Sequence, residues 1–263
     1  MCRLAAYLGP PLALETFLSA PEHGLIEQAH APRETLSATL NADGVGVGWY
    51  ADDGGPAAYR STLPAWADAN LPALGRSLTR PLWLGNVRSA TDPLSIAVAN
   101  TMPFTADGMV FLHNGYLGGF AEGVRTRMRA WLRPEVETGI AGTTDSEYIF
   151  AALRQLAADD PGAQLDVHVA RLLAHLHTWM QGGTALLNLV VSDRTRVVAV
   201  RHALAVAPPS LYVHFGHDGF AGGKLVASEP DIARVPNPGQ RWIFWKRLSV
   251  LRATASVLSA SPC

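Results

Sequence analysis

Short apolar runs closed off by turn-forming residues recur along the chain, and strands are the elements they predict. Residues 45–50 follow the turn Asn41-Ala42-Asp43-Gly44, residues 82–88 precede a Ser/Thr/Asp cluster, and residues 109–113 stop at Asn114-Gly115. Residues 186–192 and 196–202 flank Asp193-Arg194-Thr195 as the arms of a hairpin, and 211–215 with 225–227 make a second pair. In the middle of the chain the period changes to that of helices. Residues 121–132 are Arg-rich and amphipathic. Residues 144–158 open on Thr144-Asp145-Ser146-Glu147, the spacing of a capping box, and carry Ile149, Leu153 and Leu156 on one face. Residues 166–180 continue with Val169, Leu172, Leu173 and Leu176. Strands, then helices, then strands predict a layered α+β domain, and no G-x-G-x-x-G follows a strand to support a dinucleotide site.

At 263 residues, 48 % hydrophobic and 16 % charged, the chain has material for a sizeable core. No linker-like tract divides it, so a single domain over residues 2–263 is expected. Twenty-one Lys+Arg against 22 Asp+Glu leave a net charge of -1, which removes the electrostatic basis for binding nucleic acid. No apolar run reaches the roughly 18 residues that span a membrane, and no basic-then-apolar leader opens the chain; a cytoplasmic location is expected. Cys2 and Cys263 are too few for a disulfide framework or a multi-cysteine zinc site, and a reducing cytosol disfavours joining them. His168, His175 and His177 share one predicted helix but lack the carboxylate of a His-Glu-x-x-His core, so neither metal nor cofactor is expected. Trp66, Trp83, Trp242 and Trp245 read as core or interface anchors, and residues 241–252 alternate apolar and charged side chains as an edge strand would.

Cys2 has the most chemistry to offer. Met1 is removed when a small residue follows, so the mature chain is expected to begin at Cys2, with a thiol and a free α-amine on one residue. An α-amine titrates at about 7.7–8.0 and accepts a thiol proton directly or through water, so a single residue supplies nucleophile and base. Taken alone, a second-position cysteine is more often a buried or incidental side chain. The downstream residues decide between these readings.

Five segments occur in order: MCRLAAYLG at the start, NADGVGVGWY at 41–50, VRSAT at 87–91, HNG at 113–115 and TDSE at 144–147. Together they resemble the class II glutamine amidotransferases, which are N-terminal-nucleophile hydrolases with a mature N-terminal cysteine. The likeness covers at least residues 2–150, and Ala-Ser-Glu-Pro at 227–230 extends it. It implies an α+β fold, the four-layer αββα sandwich of the N-terminal-nucleophile hydrolases. It implies that the Asn114 side-chain amide and the Gly115 backbone N–H form an oxyanion hole, where each fixed donor is worth about 3–4 kcal/mol. Taken alone, Asn-Gly reads as a plain turn. Arg88 matches the arginine that pairs with the α-carboxylate of a γ-glutamyl group, and Asp145 the acid that holds its α-ammonium. Helix capping alone would also explain an acid at 145. By the same resemblance Thr91 belongs to this pocket, and Arg33 corresponds to an arginine that the family places near the nucleophile. The chain departs from the family at Ser89, where many members carry an aromatic, and at Val45, where Asp-Gly-Trp-Gly is more common.

The motifs are spread over nearly all of the 263 residues, and a synthase domain to consume ammonia is not expected. Outright hydrolysis is therefore expected, or transfer of ammonia to a separate subunit. Tyr59-Arg60, residues 64–71, VRSAT and PFTADG at 103–108 resemble the stand-alone amidohydrolases of ergothioneine biosynthesis, which remove glutamate from γ-glutamyl-hercynylcysteine sulfoxide. Action on free glutamine, or a non-catalytic domain that binds γ-glutamyl compounds, are the alternatives. The partner expected is a small γ-glutamyl substrate, with a homo-oligomer left open and neither nucleic acid nor membrane. Trp49, Tyr50, Tyr59, Trp66 and Tyr116 are the aromatic side chains available for a trimethylammonium leaving group.

Overall fold

Thirteen strands and seven α-helices organise the described part of the computed structural model, which covers residues 2–34, 39–90, 93–230, 243–244, 249–254 and 258–262. The strands are β1 (Arg3–Ala13), β2 (Val45–Tyr50), β3 (Pro56–Ser61), β4 (Thr79–Val87), β5 (Phe104–Ala106), β6 (Met109–Leu117) and β7 (Ala185–Ser192), then β8 (Arg196–Leu204), β9 (Tyr212–His217), β10 (Gly223–Ala227), β11 (Ile243–Phe244), β12 (Ser249–Thr254) and β13 (Leu258–Pro262). The helices are α1 (Leu14–Ser19), α2 (Leu25–His30), α3 (Leu71–Ser77), α4 (Arg125–Trp131), α5 (Pro134–Glu137), α6 (Asp145–Asp159) and α7 (Leu165–Met180). One sheet runs β11-β9-β10-β1-β4-β2-β3 and the other β13-β12-β8-β7-β6-β5, with antiparallel pairing throughout.

Alternation along the strands assigns their faces. In β6, Phe111 stacks on Phe150 of α6 at 5.2 Å, so residues 111, 113 and 115 face the helices and 110, 112 and 114 face the other sheet. Leu4, Leu82 and Leu84 meet Val110 and Leu112 in a continuous core between the sheets, which reaches past the second sheet to α6 and α7. On the far side of the first sheet, Tyr7, Val47 and Trp83 pack against Phe17 of α1, Leu25 of α2 and Leu71 of α3. Helices, sheet, sheet, helices: the layers are those of the αββα sandwich.

Several expectations shift. The strand over residues 109–113 does not stop at Asn114-Gly115 but runs on to Leu117, with Asn114 opposite Asn188 and Gly115 opposite Leu187 in β7. The strand pairing supplies both residues with neighbours, so the local turn preference of Asn-Gly is overridden. The helix expected over 121–132 begins as a π-turn, Phe120–Val124, and becomes α-helical only from Arg125. Half of the capping box forms. Thr144 Oγ1 accepts the Glu147 N–H at 3.4 Å, but the Glu147 carboxylate turns away to Ala141 N–H and Gly142 N–H at 2.8 and 2.7 Å. The stretch 241–252 divides between Ile243–Phe244, at the edge of the first sheet, and Ser249–Thr254, inside the second between β8 and β13. Trp242, Trp245 and Cys263 lie outside the described residues. Trp83 is fully buried, its Nε1 donating to Leu12 O at 2.9 Å, whereas Trp66 is exposed and edge-on to His30. Among the described residues, no helix is long and apolar enough to cross a membrane.

One buried carboxylate ties the start of β1 to the end of β10. Glu229 accepts from Arg3 Nη1 at 3.0 Å, from the Arg33 and Glu34 N–H groups at 2.9 Å each, and pairs with His23 Nε2 at 2.7 Å. Burial is the largest single influence on it and alone would raise its pKa. The His23 hydrogen bond, the two N–H groups and the Arg3 charge together outweigh burial and bring it from 4.5 down to about 2. Because the folded value lies below the unfolded one, the stabilisation is complete above the unfolded pKa and drains away as pH falls toward the folded one. Its size is about 3 kcal/mol. Denaturant titrations between neutral and strongly acid pH should therefore show stability falling through this window, and Glu229→Gln should be less stable at pH 7 with a flatter acid limb. An unchanged acid limb in that variant would assign the effect to other carboxylates.

Candidate active site

Cys2 sits at the entry to β1, the central strand of the first sheet. Arg3 pairs with Val87 in β4, which brings the chain start alongside Arg88 and Ser89; the Cys2 thiol lies 3.6 Å from Ser89 O. Arg3, with no exposed surface, reaches back to Cys2 O at 2.7 Å while its Nη1 holds Glu34 O and Glu229. Leu4 N–H donates to Ser228 Oγ at 3.0 Å. The backbone of the first residues is thus gripped on both sides.

Arg88 leaves the end of β4 buried, 4 % exposed. Its backbone is clasped by the 43–44 turn, since Arg88 N–H donates to Gly44 O at 2.8 Å and Asp43 N–H to Arg88 O at 2.9 Å. Asp43 Oδ2 also accepts the Ala90 N–H at 2.7 Å. The guanidinium is oriented by Ser95, whose carbonyl and hydroxyl accept from Nη2 at 3.1 and 3.0 Å, while the buried Nη1 has no partner among the described residues. A buried cationic donor left open in a cavity wall has the chemistry to pair with an anion.

The second sheet contributes the open edge of β6. His113 N–H points away from β7 toward Met102 Sδ at 3.1 Å, and Leu117 N–H points the same way to Asp145 Oδ2 at 2.7 Å. Antiparallel pairing alternates the direction of successive N–H groups, so the Gly115 N–H between them leaves by the same edge. Gly115 is required there: a Cβ would come 1.8 Å from Leu186 O and 2.6 Å from His113 Nε2. Asn114 faces the space between the sheets, fully buried, and neither Oδ1 nor Nδ2 has a partner among the described residues. Asp145, first residue of α6, is half-buried, with Oδ1 accepting Ser146 N–H at 2.7 Å and Oδ2 accepting Leu117 N–H.

Cys2, Arg88, Gly115 and Asp145 line one cavity of about 480 Å³, with Ser89, Ser95, Tyr116, Phe120 and Glu122 among its other walls. Asn114 lies between two residues that line it. Thr91 falls outside the described residues. Arg33 is exposed and does not line the cavity; its backbone N–H donates to Glu229. Of Trp49, Tyr50, Tyr59, Trp66 and Tyr116, Tyr116 alone lines the cavity. Tyr50 is buried with its hydroxyl on Gly108 O and Ser192 O, Trp49 and Tyr59 pack against the α1–α3 side, and Trp66 meets His30. Val45 is likewise core, so its difference from the family does not touch the cavity, whereas Ser89 does line it. Residue-by-residue reading missed Arg3, His23, Glu229, His113, Ser146 and Phe120. Ser228-Glu229 within 227–230 was the available signal for the hub, and His113 and Ser146 lie inside motifs read for their neighbours.

The profile of the family described as class-II glutamine amidotransferases matches residues 28–219, and the chain belongs to that family. It is an amide-hydrolysing enzyme. Similar to it are the γ-glutamyl-hercynylcysteine sulfoxide hydrolase of Mycolicibacterium smegmatis, 30 % identical over 68 % of this chain and 79 % of the relative, and the probable glutamine amidotransferase DUG3 of Saccharomyces cerevisiae, 27 % identical over 89 % and 72 %. Among solved structures, a glutamine aminotransferase class-II domain protein from Silicibacter pomeroyi superposes with TM-score 0.71, 27 % identity and 99 % coverage of both chains. The glutamine PRPP amidotransferase of Bacillus subtilis, at TM-score 0.64 and 15 % identity over 99 % of this chain and 49 % of that one, shares the fold. Gly115→Ala tests the close approach at the β6 edge. Its Cβ meets β7 backbone that cannot swing aside, so the melting temperature should fall, consistent with a loss of about 1–3 kcal/mol, and amide hydrolysis should drop by at least about a hundredfold. Thermal unfolding and steady-state kinetics at wild-type values would show that the approach tolerates a side chain.

Proposed function

We propose that this chain is a γ-glutamyl amidohydrolase whose nucleophile is the Cys2 thiolate of a mature chain lacking Met1, and that its substrate is γ-glutamyl-hercynylcysteine sulfoxide. The observation that carries the γ-glutamyl part is the charge arrangement of one cavity wall. Arg88 offers a buried, unpartnered Nη1 to an α-carboxylate, and Asp145, fixed by two backbone N–H groups, offers lone pairs to an α-ammonium. In this reading the α-amine of Cys2 takes the thiol proton, and the thiolate attacks the γ-carbonyl. Asn114 Nδ2 and the Gly115 N–H receive the oxyanion. The scissile C–N bond breaks as the amine leaves with the proton, giving a γ-glutamyl thioester on Cys2. Water, deprotonated by the same α-amine, hydrolyses the thioester to glutamate and restores the thiol. Thr91 and Arg33 remain substrate-side residues of this proposal.

The leaving group is supported by the relatives and by the shape of the wall. Mycobacterial hydrolases of γ-glutamyl-hercynylcysteine sulfoxide are 30 and 37 % identical over 68 and 44 % of this chain. At about 480 Å³ the cavity falls in the range that encloses whole small molecules. Past Gly115 it is walled by Tyr116, Phe120 and Glu122, two aromatic faces and a carboxylate that suit a trimethylammonium group. The yeast relative favours a second reading, action on free glutamine. Side-by-side kinetics separate them. Conjugates carrying the histidine betaine should exceed glutamine in kcat/KM by at least about tenfold, equivalent to roughly 1.4 kcal/mol of transition-state binding. Equal or faster hydrolysis of glutamine would reject the betaine substrate and leave the glutaminase.

A further inference from the structure

Behind the cavity wall runs a line of close polar contacts that the steps above do not use. His113 is 1 % exposed and Ser146 8 %. His113 Nε2 lies 3.0 Å from Leu186 O, and Nδ1 lies 2.9 Å from Ser146 Oγ. Ser146 Oγ is in turn 3.2 Å from Asp145 Oδ1. The three side chains are those of a hydrolytic triad, but in another order, with the hydroxyl in the middle and the imidazole at the end. A carbonyl only accepts, so Nε2 carries a hydrogen and donates it to Leu186 O. Burial lowers the His113 pKa more than Asp145 raises it, so the ring is neutral and Nδ1 only accepts. The Ser146 hydroxyl has one proton; the shorter contact, to His113 Nδ1 at 2.9 Å, takes it, and the 3.2 Å approach to Asp145 Oδ1 goes without it. Asp145 is then held by the Leu117 and Ser146 N–H groups, and its remaining lone pairs stay available.

The same contacts fix a distance. The first turn of α6 grips β6 at two points: Leu117 through Asp145 Oδ2, and His113 through Ser146 Oγ. Gly115 lies midway, two residues from each. Because Gly115 has no side chain, the His113 ring can lie across it to reach Leu186 O. The carboxylate and the Gly115 N–H are therefore parts of one rigid clamp rather than neighbours by chance.

We propose that Ser146 and His113 are positioning residues that set the ammonium-binding carboxylate of Asp145 at a fixed register from the Gly115 N–H, so that recognition of the substrate's α-amine places the γ-amide for attack. This rests on the γ-glutamyl reading of the site. The test is a double-mutant cycle on hydrolysis of a γ-glutamyl amide, with melting temperatures measured in parallel. Ser146→Ala should lower kcat/KM about tenfold, and Ser146→Thr, which keeps the hydroxyl, should recover to within about twofold of wild type. In the Asp145→Asn background, where the ammonium contact is already lost, Ser146→Ala should add less than about a twofold effect. A Ser146→Ala enzyme with wild-type kinetics, an effect that multiplies undiminished in the Asp145→Asn background, or a threonine variant as impaired as alanine would each overturn the inference. Wild-type enzyme that cleaves no γ-glutamyl amide would instead overturn the function proposed above and this inference with it.

Discussion

Everything at this site depends on holding the first residues of a chain still. Chain starts fray unless something ties them down, yet the proposed nucleophile is residue 2. The tie is the buried ion pair between Arg3 and Glu229, 3.0 Å apart with almost no exposed surface on either side chain. A buried pair is stabilising only when its remaining hydrogen-bonding capacity is filled. Here His23 and the Arg33 and Glu34 N–H groups fill the carboxylate; Cys2 O and Glu34 O occupy Nε and Nη1 of the guanidinium, and the buried Nη2 has no partner among the described residues. Removing one partner would leave an uncompensated charge in the interior, so the hub couples the fold's integrity to the placement of Cys2.

A second constraint lies in the other sheet. The open edge of β6 presents three N–H groups in succession on one side, and each has a separate duty. His113 N–H anchors the strand to Met102, Leu117 N–H fixes the Asp145 carboxylate, and Gly115 N–H, between them, leaves by the same edge and is the donor proposed for the oxyanion. Strand periodicity thus converts a sequence spacing of two residues into a spatial ruler of roughly 6–7 Å, the advance of two strand residues. The sandwich brings this edge to the mouth occupied by Cys2 and Arg88, so groups from residues 2, 88, 115 and 145 meet in one cavity.

Much of this was legible from residue patterns. The hairpin around 193–195, strand 45–50 and the helices from 145 and 165 follow local periodicity, and they form where expected because pattern and packing agree. β1 was not legible. Six successive buried residues from Arg3 to Leu8 carry no alternation, and Gly9-Pro10-Pro11 reads as a break, although the strand continues past it with a register shift. Asn114-Gly115 carried a genuine turn preference, and only the long-range pairing with β7 reveals it as strand. The hub was legible only as the segment 227–230: a salt bridge between residues 3 and 229 leaves no trace in spacing. Likewise, the aromatics nearest the motifs in sequence are mostly core, while Phe120 reaches the cavity through a π-turn that helical periodicity does not anticipate.

The central claim is that the α-amine and thiol of Cys2 act together on the substrate amide. Mass analysis of the N-terminal peptide from enzyme quenched in acid during turnover tests it most directly. The account predicts a peptide that begins at Cys2, without Met1, and carries a γ-glutamyl thioester on that cysteine. Full activity in protein that retains Met1, or a glutamyl group trapped on any other residue, would contradict it.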